Sequence, residues 1–372
     1  MKKRTIIKLD FFPLHFTVKG YIILVLILGI ILNFLSCSTA PMSYRAETDR
    51  QISQVTAKWK AVEVKFYSGY KDICFGDSNH GWAIADHECR YTSDGGKTWS
   101  PQFIDETMAS IDMESIDFIT PLEGWIVGSN KLISHTDNLR KMLNTGKTKI
   151  EGEITESNKL IFHTSDGGVK WVSQKINTKD RLKGVDFINS ACGWVIGDAG
   201  IIFHTTDGGS TWVTQESGVK DNLKAIYFIN ADIGWVIGQN GTILYTKDGG
   251  NKWMRQNSNI RYDALNGISF IGTDKGWIVG QNGIVLHTDN GGNKWIIQKT
   301  GIDVDLTGVD FINSNEGWVV GYKGIILHTY DGGITWTPES SNTDGALMAI
   351  DFTNSDNGCA VGINGILEYA KN

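Results

Sequence analysis

Short apolar segments alternate with turn residues along most of this chain, and the pattern is clearest between residues 182 and 215. There it predicts four short β-strands separated by glycine, asparagine and aspartate turns, which is typical of a hairpin meander. We denote these strands A to D within one unit. Their predicted bounds are 182–187, 193–196, 201–205 and 211–215.

The unit is repeated. The stretch GWVIGDAGIIFHTTDGGSTW recurs every 41 or 42 residues in its clear copies, which is the period of a four-stranded propeller blade. Weaker copies bring the number of units to seven. The repeated glycines that mark them are Gly81, Gly124, Gly193, Gly234, Gly276, Gly317 and Gly358.

The tryptophans predict how the ring closes. All 13 occupy repeat positions, and Trp59 precedes Trp82 by 23 residues, the same interval that separates Trp212 from Trp235. Trp59 therefore marks an outer strand without the rest of its unit, whereas the last unit ends without an outer strand. We predict an all-β, seven-bladed β-propeller of four-stranded blades, closed by the N-terminal strand completing the C-terminal blade.

The turn between strands C and D carries the most specific motif. It matches the Asp box, S/T-x-D-x-G-x-T/N-W, in which the carboxylate accepts turn N–H groups and a glycine takes a positive φ. A polar residue repeated around one edge of a ring predicts a folding device, because catalytic or calcium-binding groups must converge. The six positions are Asp94, Asp166, Asp207, Asp248, Asn290 and Asp331.

Other polar residues also recur at fixed positions. The histidines before the Asp box lie on separate blades and are predicted to pack rather than to bind a metal; they are His163, His204, His287 and His328. Recurrent aspartates in strand A are predicted to bond to the neighbouring blade, with a cation site in the central channel as the alternative; they are Asp117, Asp186, Asp310 and Asp351. Residues Cys74, Cys89, Cys192 and Cys359 are predicted to be free thiols. We predict no cofactor and no metal.

The N-terminus indicates export. Residues 1–37 combine a basic start with an apolar run from Tyr21 to Leu35, which is too short for a typical membrane span and resembles a signal peptide. The run ends at Leu35-Ser36-Cys37, similar to the cleavage box of bacterial lipoproteins, which predicts lipidation of Cys37; an uncleaved anchor is the alternative. Residues 38–56 are polar and predict a flexible tether, so that residues 57–372 form an exported, membrane-anchored propeller.

Charge and irregular segments suggest where a partner binds. A net charge of −6 with eight arginines gives no basic stripe, which argues against nucleic acid. The second unit has an insertion at about residues 129–158. Basic residues of the insertion and of the neighbouring D–A connections predict docking of an acidic or phosphate-bearing partner, with a solvated loop surface as the alternative. This sector comprises Arg140, Lys141, Lys179, Arg181, Lys183, Lys220, Lys224, Arg255, Arg261 and Tyr262.

The repeat GWxVGxxGxIxHTxDGGxTW, with its intervening VDFIN strand, resembles the photosystem II stability/assembly factor family of seven-bladed propellers, over about residues 58–372. The resemblance implies a non-enzymatic protein that binds membrane-protein intermediates during assembly, and a lipoprotein N-terminus. Two features depart from that family: the 28-residue insertion, and the scarcity of arginine where those factors use a basic patch.

Asp boxes also occur in sialidases and related glycosidases, which gives a competing interpretation. The chain lacks an Arg-Ile-Pro motif and no carboxylate pair breaks the repeat, so the sequence does not favour hydrolysis. A glycan-binding propeller remains as the alternative, with aromatic residues of the loop face stacking on sugars. The residues proposed for this role are Phe66, Tyr67, Tyr70, Tyr262 and Tyr322.

Overall fold

The computed structural model describes residues 58–63, 69–102, 111–130 and 161–369. Within these residues, 28 strands form seven four-stranded antiparallel sheets. The predicted seven-bladed β-propeller is therefore confirmed. The predicted signal peptide, Cys37 and the tether lie outside the described residues. No helix in the described ranges has the length and apolar character needed to cross a membrane.

The strands follow the predicted meander. The isolated first strand is β1 (Trp59–Ala61). Blade 1 contains β2 (Tyr70–Phe75), β3 (Gly81–Ala85), β4 (Glu88–Thr92) and β5 (Ser100–Gln102). Blade 2 contains β6 (Ile111–Phe118), β7 (Gly124–Asn130), β8 (Ile161–Thr164) and β9 (Val172–Gln174). Blade 3 contains β10 (Leu182–Phe187), β11 (Gly193–Gly197), β12 (Ile202–Thr205) and β13 (Val213–Gln215).

The later blades repeat this order. Blade 4 contains β14 (Leu223–Phe228), β15 (Gly234–Gly238), β16 (Ile243–Thr246) and β17 (Met254–Gln256). Blade 5 contains β18 (Leu265–Ile271), β19 (Lys275–Gly280), β20 (Val285–Thr288) and β21 (Ile296–Gln298). Blade 6 contains β22 (Leu306–Phe311), β23 (Gly317–Gly321), β24 (Ile326–Thr329) and β25 (Thr337–Glu339). Blade 7 contains β26 (Leu347–Asn354), β27 (Asn357–Gly362), β28 (Gly365–Tyr369) and β1.

Ring closure follows the tryptophan spacing. Strand β1 pairs antiparallel with β28, with Trp59 opposite Tyr369, and supplies the outer strand of blade 7. Trp59 is only 1% exposed and packs edge-on against Phe352 and Tyr369. The first strand of the propeller is thus held in its last sheet by burial of a large aromatic side chain.

The core consists mainly of the contacts between adjacent blades. In blades 1 to 6 the strand B tryptophan is fully buried and stacks on a strand A phenylalanine of the next blade; Trp194, for example, lies 3.5 Å from Phe228 between ring centroids. The glycine before each tryptophan makes room for the phenylalanine of its own blade. A Cβ at Gly193 would lie 2.4 Å from the Phe187 ring, which explains the repeated Gly-Trp pair.

Strand pairing locates the insertion in blade 2. Strand β7 pairs directly with β8, with Val127 opposite Ile161, so the additional residues lie in the B–C connection of that blade. The sequence SNKLISHT at residues 129–136 is nearly repeated as SNKLIFHT at residues 157–164, and strand C of the blade lies in the second copy. Residues 131–160, including Arg140 and Lys141, lie outside the described residues.

The tight B–C turns explain the Asn-Gly pairs of the sequence. Asn240 and Gly241 have φ values of 54° and 61°, and the Thr242 amide donates to the Gln239 carbonyl oxygen. These are the features of a type I′ hairpin turn. Three other blades form the same B–C turn as a short 3-10 segment: Asp198–Gly200, Gln281–Gly283 and Tyr322–Gly324.

Candidate functional site: the two faces and the central channel

The propeller has two faces with different chemistry. On one face the B–C turns bond to the residues just before strand A, as where the Asp198 amide donates to the Arg181 carbonyl oxygen. On the other face the Asp boxes bond to the A–B turns, as where the Gly167 amide donates to the Leu122 carbonyl oxygen. We call these the loop face and the Asp-box face.

On the Asp-box face the repeated aspartates accept hydrogen bonds from their own turn. Asp207 Oδ1 accepts hydrogen bonds from Thr205 Oγ1 at 2.8 Å and from the Thr211 amide at 2.8 Å, and Oδ2 accepts one from Thr211 Oγ1. The bonds from the Thr211 side chain and backbone lower the pKa of Asp207. Asn290 makes equivalent bonds through its amide oxygen. Because Asn replaces Asp without changing the turn, these bonds need an oxygen acceptor and not a charge.

The Asp boxes also hold adjacent blades together. The Gln215 side chain at the end of strand D in blade 3 donates to the Gly249 carbonyl oxygen in the box of blade 4 at 2.7 Å, and the Trp194 indole donates to the same oxygen at 3.1 Å. Gln102, Gln174, Gln256 and Gln298 repeat the glutamine bond. The box residues thus make hydrogen bonds within their own turn and to the adjacent blade, as a folding device would.

The histidines pack as predicted. His163, His204, His287 and His328 each stack on the strand B tryptophan of their own blade, with centroids 4.1 to 4.8 Å apart. No group of three or more potential metal ligands is close enough to hold an ion in the described parts of the chain. Cys74, Cys89, Cys192 and Cys359 are free thiols, as predicted.

The recurrent aspartates lie along the central channel, a cavity of about 380 Å³. Each accepts a hydrogen bond from a backbone amide of the next blade: Asp117 from Phe187, Asp186 from Phe228, Asp310 from Phe352 and Asp351 from Phe75. This confirms the interblade role. In blade 5 the hydroxyl of Ser269 takes the same position.

Burial changes the ionisation of these carboxyl groups. It raises the pKa of Asp310 to about 6 and that of Asp117 to about 7. It also raises the pKa of Asp351 to about 8, with the Asp310 charge as the next cause. Asp72, which accepts from the Ile116 amide, has a pKa of about 6 for the same reason. The channel is therefore less negative near neutral pH than its composition indicates.

On the loop face the channel opens into a cavity of about 520 Å³. A β-bulge at the start of strand A skips one residue in every blade, as where Leu182 pairs with Gly197 and Gly184 pairs with Ile196. The skipped residues all line the opening. We call them the mouth ring: Lys71, Glu114, Lys183, Lys224, Asn266, Thr307 and Met348.

The structure corrects part of the predicted basic sector. Lys183 and Lys224 lie in strand A and not in the D–A connections. Each is the bulged residue that directly follows a buried leucine. Arg255 lies in strand D, 3.6 Å from Asp221. Of the sector, Arg181, Lys183 and Lys224 line the mouth cavity. The other described members are exposed but do not line it: Lys179, Lys220, Arg255, Arg261 and Tyr262.

The loop-face aromatic residues and the mouth ring differ in part from the sequence prediction. Tyr70 is only 1% exposed, because it occupies the buried leucine position of strand A and donates to Glu88, so it is not a surface aromatic. Tyr262 and Tyr322 are exposed, whereas Phe66 and Tyr67 lie outside the described residues. Glu114 and Asn266 of the mouth ring were missed; their position one residue after the buried start of strand A was the available signal.

Comparisons with known proteins agree with this architecture. The chain is similar over 140 residues, at 26% identity, to the photosystem II assembly lipoprotein Ycf48 of Synechococcus sp. (strain CC9902), covering 37% of this chain and 33% of that protein. It thus matches about a third of that relative's length.

Two solved structures share the fold. The structure described as YCF48 bound to D1 peptide has a TM-score of 0.66 at 21% identity, covering 85% of this chain and 97% of that one. The Niastella koreensis GH74 enzyme has a TM-score of 0.63 at 15% identity, covering 83% of this chain and 53% of that one.

The sequence pattern of one protein family matches most of this chain. The model described as photosynthesis system II assembly factor YCF48 matches residues 51–147, 145–217, 211–300 and 294–372. These matches include all seven blades. The chain belongs to the family of the photosynthesis system II assembly factor YCF48.

Proposed function

We propose that this protein is a non-enzymatic, membrane-tethered assembly or stability factor that binds a segment of a membrane protein on its loop face. The observation that carries the proposal is family membership over the whole propeller. A similar protein is named as a photosystem II assembly lipoprotein, and a structure of the same fold holds a D1 peptide. The tether is the lipid on Cys37, at the outer side of the membrane.

The loop face is the proposed binding surface because the other face is committed to the fold. The Asp-box oxygens are engaged in turn bonds and interblade bonds, as described for Asp207 and Gly249. On the loop face, Arg181, Arg261 and Tyr262 are exposed on connections between blades, and Tyr262 is 86% exposed. Exposed arginine and tyrosine are the residue types enriched at protein interfaces.

Crosslinked affinity capture of the tagged full-length chain from its own membranes tests the proposal, with partners identified by mass spectrometry. We expect one integral membrane protein in near-stoichiometric amount. The substitutions Arg181→Glu, Arg255→Glu and Arg261→Glu together should reduce its recovery by about tenfold, because they reverse charge across the loop face.

A matched triple variant on the opposite face serves as the control. Lys170, Lys252 and Lys294 are exposed residues of the Asp boxes, and their replacement by Glu should leave recovery unchanged. Equal recovery by both triple variants would contradict docking on the loop face. Recovery of polysaccharide in place of protein would support the glycan-binding alternative, for which Tyr262 and Tyr322 would be the stacking residues.

A further inference from the structure

The mouth ring carries an uneven charge. Lys71, Lys183 and Lys224 are cationic, and Glu114 is its single anion. Glu114 lies 3.0 Å from the ammonium of Lys183 and 3.6 Å from that of Lys71, and Asp86 lies 2.5 Å from the same Lys71 ammonium. Two carboxylates therefore offset the two lysines on the side of the ring formed by blades 1 to 3. The excess positive charge therefore lies at blade 4, on Lys224.

Lys224 is held in place by a neutral partner. Its ammonium donates to Asn266 Oδ1 at 2.9 Å, and within the described residues it forms no ion pair. The Asn266 amide donates in turn to the Leu306 carbonyl oxygen at 2.7 Å, which fixes the direction of its oxygen toward Lys224. Although the Lys224 side chain is exposed to solvent, desolvation by its surroundings, followed by the charge of Lys183, lowers its pKa, and the charge of Asp305 opposes this only in part. An anion at this point would relieve the cost of a partly desolvated cation.

We infer that Lys224 and Arg181, at the mouth of the channel, form a binding site for a single carboxylate group of a polypeptide. Arg181 directly precedes strand A of blade 3, is exposed and lines the same cavity, so its guanidinium is available for bidentate contact with a carboxylate. The inference rests on the proposed function, since the polypeptide is the partner segment bound by the loop face.

The charge around the cavity favours a carboxylate over a phosphate. Four cationic side chains line it, and three anionic ones, Glu114, Asp198 and Asp305, oppose them. The excess is one positive charge, which matches a carboxylate and leaves a doubly charged phosphate uncompensated. Deeper in the channel Asp72 and Asp310, with pKa values of about 6, remain mostly charged at neutral pH and repel an anion, so the carboxylate stops at the mouth ring.

Acetylation of lysines by an amine-reactive acetate ester, followed by mass spectrometry, tests the site in the full-length chain in detergent at low ionic strength. The probes are acetyl-Gly-Ala-Gly-Ala with a free C-terminal carboxylate, the same peptide as its amide, acetyl-Gly-Glu-Ala amide, and inorganic phosphate. At about 10 mM, a carboxylate peptide should slow acetylation of Lys224 by about fivefold, as for a site of millimolar affinity. The neutral amide should have no effect.

The two carboxylate peptides distinguish the source of the group. Protection by the first alone assigns the site to a chain terminus, and protection by the glutamate peptide assigns it to a side chain. Lys252, exposed on the Asp-box face, should react equally with and without every probe. Arg181→Gln should remove most of the protection of Lys224, whereas Arg255→Gln should not, because Arg255 lies outside the cavity and beside Asp221.

The inference is overturned if neither carboxylate peptide protects Lys224, or if Lys252 is protected to the same degree. Protection by phosphate at concentrations about tenfold lower would replace the carboxylate assignment. Lys224→Met checks that the ring tolerates the loss of the ammonium, because Met348 already occupies the same position in blade 7. Capture of the membrane partner without protection of Lys224 would refute this inference alone, and protection without capture would refute the proposed function alone.

Discussion

Between blades 5 and 6, Trp277 stacks on Phe311 with centroids 3.6 Å apart, and its indole donates to the Gly332 carbonyl oxygen at 2.9 Å. Gln298 donates to the same oxygen at 2.8 Å. Between blades 7 and 1, an interface that we call the seam, neither the tryptophan nor the glutamine is repeated, although Phe75 holds the phenylalanine position. Cys359 stands at the tryptophan position, and Val62 stands three residues after Trp59, where Gln298 follows Trp295.

Besides Phe75, the seam retains the aspartate bond of the repeat. The Phe75 amide donates to Asp351 Oδ2 at 2.7 Å, as the equivalent amides do at the other aspartates of the channel. Cys359 is fully buried and fills the space against Gly96, where a Cβ would lie 2.3 Å from its sulfur. The ring is therefore held by extensive aromatic packing at six interfaces and by smaller contacts at the seventh.

The largest expected difference concerns the stacked tryptophans. Trp277→Ala removes a fully buried indole and its hydrogen bond and should lower the free energy of unfolding by about 3–5 kcal/mol. Cys359→Ala at the seam removes one sulfur atom and should cost about 1 kcal/mol. Urea denaturation followed by tryptophan fluorescence and circular dichroism measures both. Equal losses would show that the seam is as strong as the regular interfaces.

The interface between blades 6 and 7 supplies the second comparison. Glu339 replaces the glutamine there and accepts from Trp59 Nε1 at 2.8 Å, Lys58 Nζ at 3.0 Å and His328 Nδ1 at 2.9 Å. These bonds hold the pKa of Glu339 below its usual value although burial opposes them. At the regular interfaces the glutamine donates to a carbonyl oxygen of the next Asp box, as Gln298 does to Gly332. At this interface the closing strand brings the donor Lys58 instead, so residue 339 has to accept, and a carboxylate can do so.

Glu339→Ala should therefore cost more than Gln298→Ala. Loss of the carboxylate leaves the Trp59 indole and a partly buried ammonium without their acceptor, for an expected loss of about 2–3 kcal/mol. Loss of Gln298 removes a neutral bond and should cost about 1 kcal/mol. Limited proteolysis of the N-terminal strand gives an independent readout, since only Glu339→Ala should accelerate release of β1. Similar losses from both variants would contradict a special role of this residue in closure.

These contacts mark what the sequence could and could not predict. The strand order and the closing role of Trp59 followed from spacing, because a fixed period specifies a blade without knowledge of distant contacts. The bonds of Glu339 to Trp59 and Lys58 could not be predicted, since they join residues about 280 positions apart that only ring closure brings together. Lys224 was assigned to a D–A connection, and Lys183 was grouped with these connections although it falls within the predicted strand A. A β-bulge leaves no signature in the apolar pattern, and this concealed the mouth ring.

The seam should also respond to pH through Asp351. Its pKa of about 8 in the folded protein exceeds that of an aspartate in the unfolded chain, so protonation of this carboxyl group favours the folded state. The stabilisation is complete at low pH, where the group is protonated. This contribution is lost as pH rises toward 8. Asp117 and Asp310, with pKa values of about 7 and about 6, act in the same direction. The free energy of unfolding should therefore fall between pH 5 and pH 8.

Asp351→Asn separates the seam from the rest of the channel. The amide oxygen can still accept the Phe75 N–H, but the group no longer ionises. Because Asp351 is half-buried beside the water-accessible channel, we expect the fall in stability between pH 5 and pH 8 to shrink by on the order of 1 kcal/mol. Urea midpoints at three pH values measure it. An unchanged slope would mean that Asp351 does not titrate in this range.

The smallest effect is expected on the Asp-box face of a regular blade. Asp207→Asn should leave the free energy of unfolding unchanged within error, because Asn290 already makes the same turn with an amide oxygen. Asp207→Ala removes the acceptor of one backbone and two side-chain donors and should lower the free energy of unfolding measurably, though by less than the substitutions above. If Asn proved as damaging as Ala, the charge itself would matter, and the turn would need reconsideration as a ligand site. A neutral Asn beside a destabilising Ala would place the role of the box in turn geometry, which leaves the loop face as the surface available for binding.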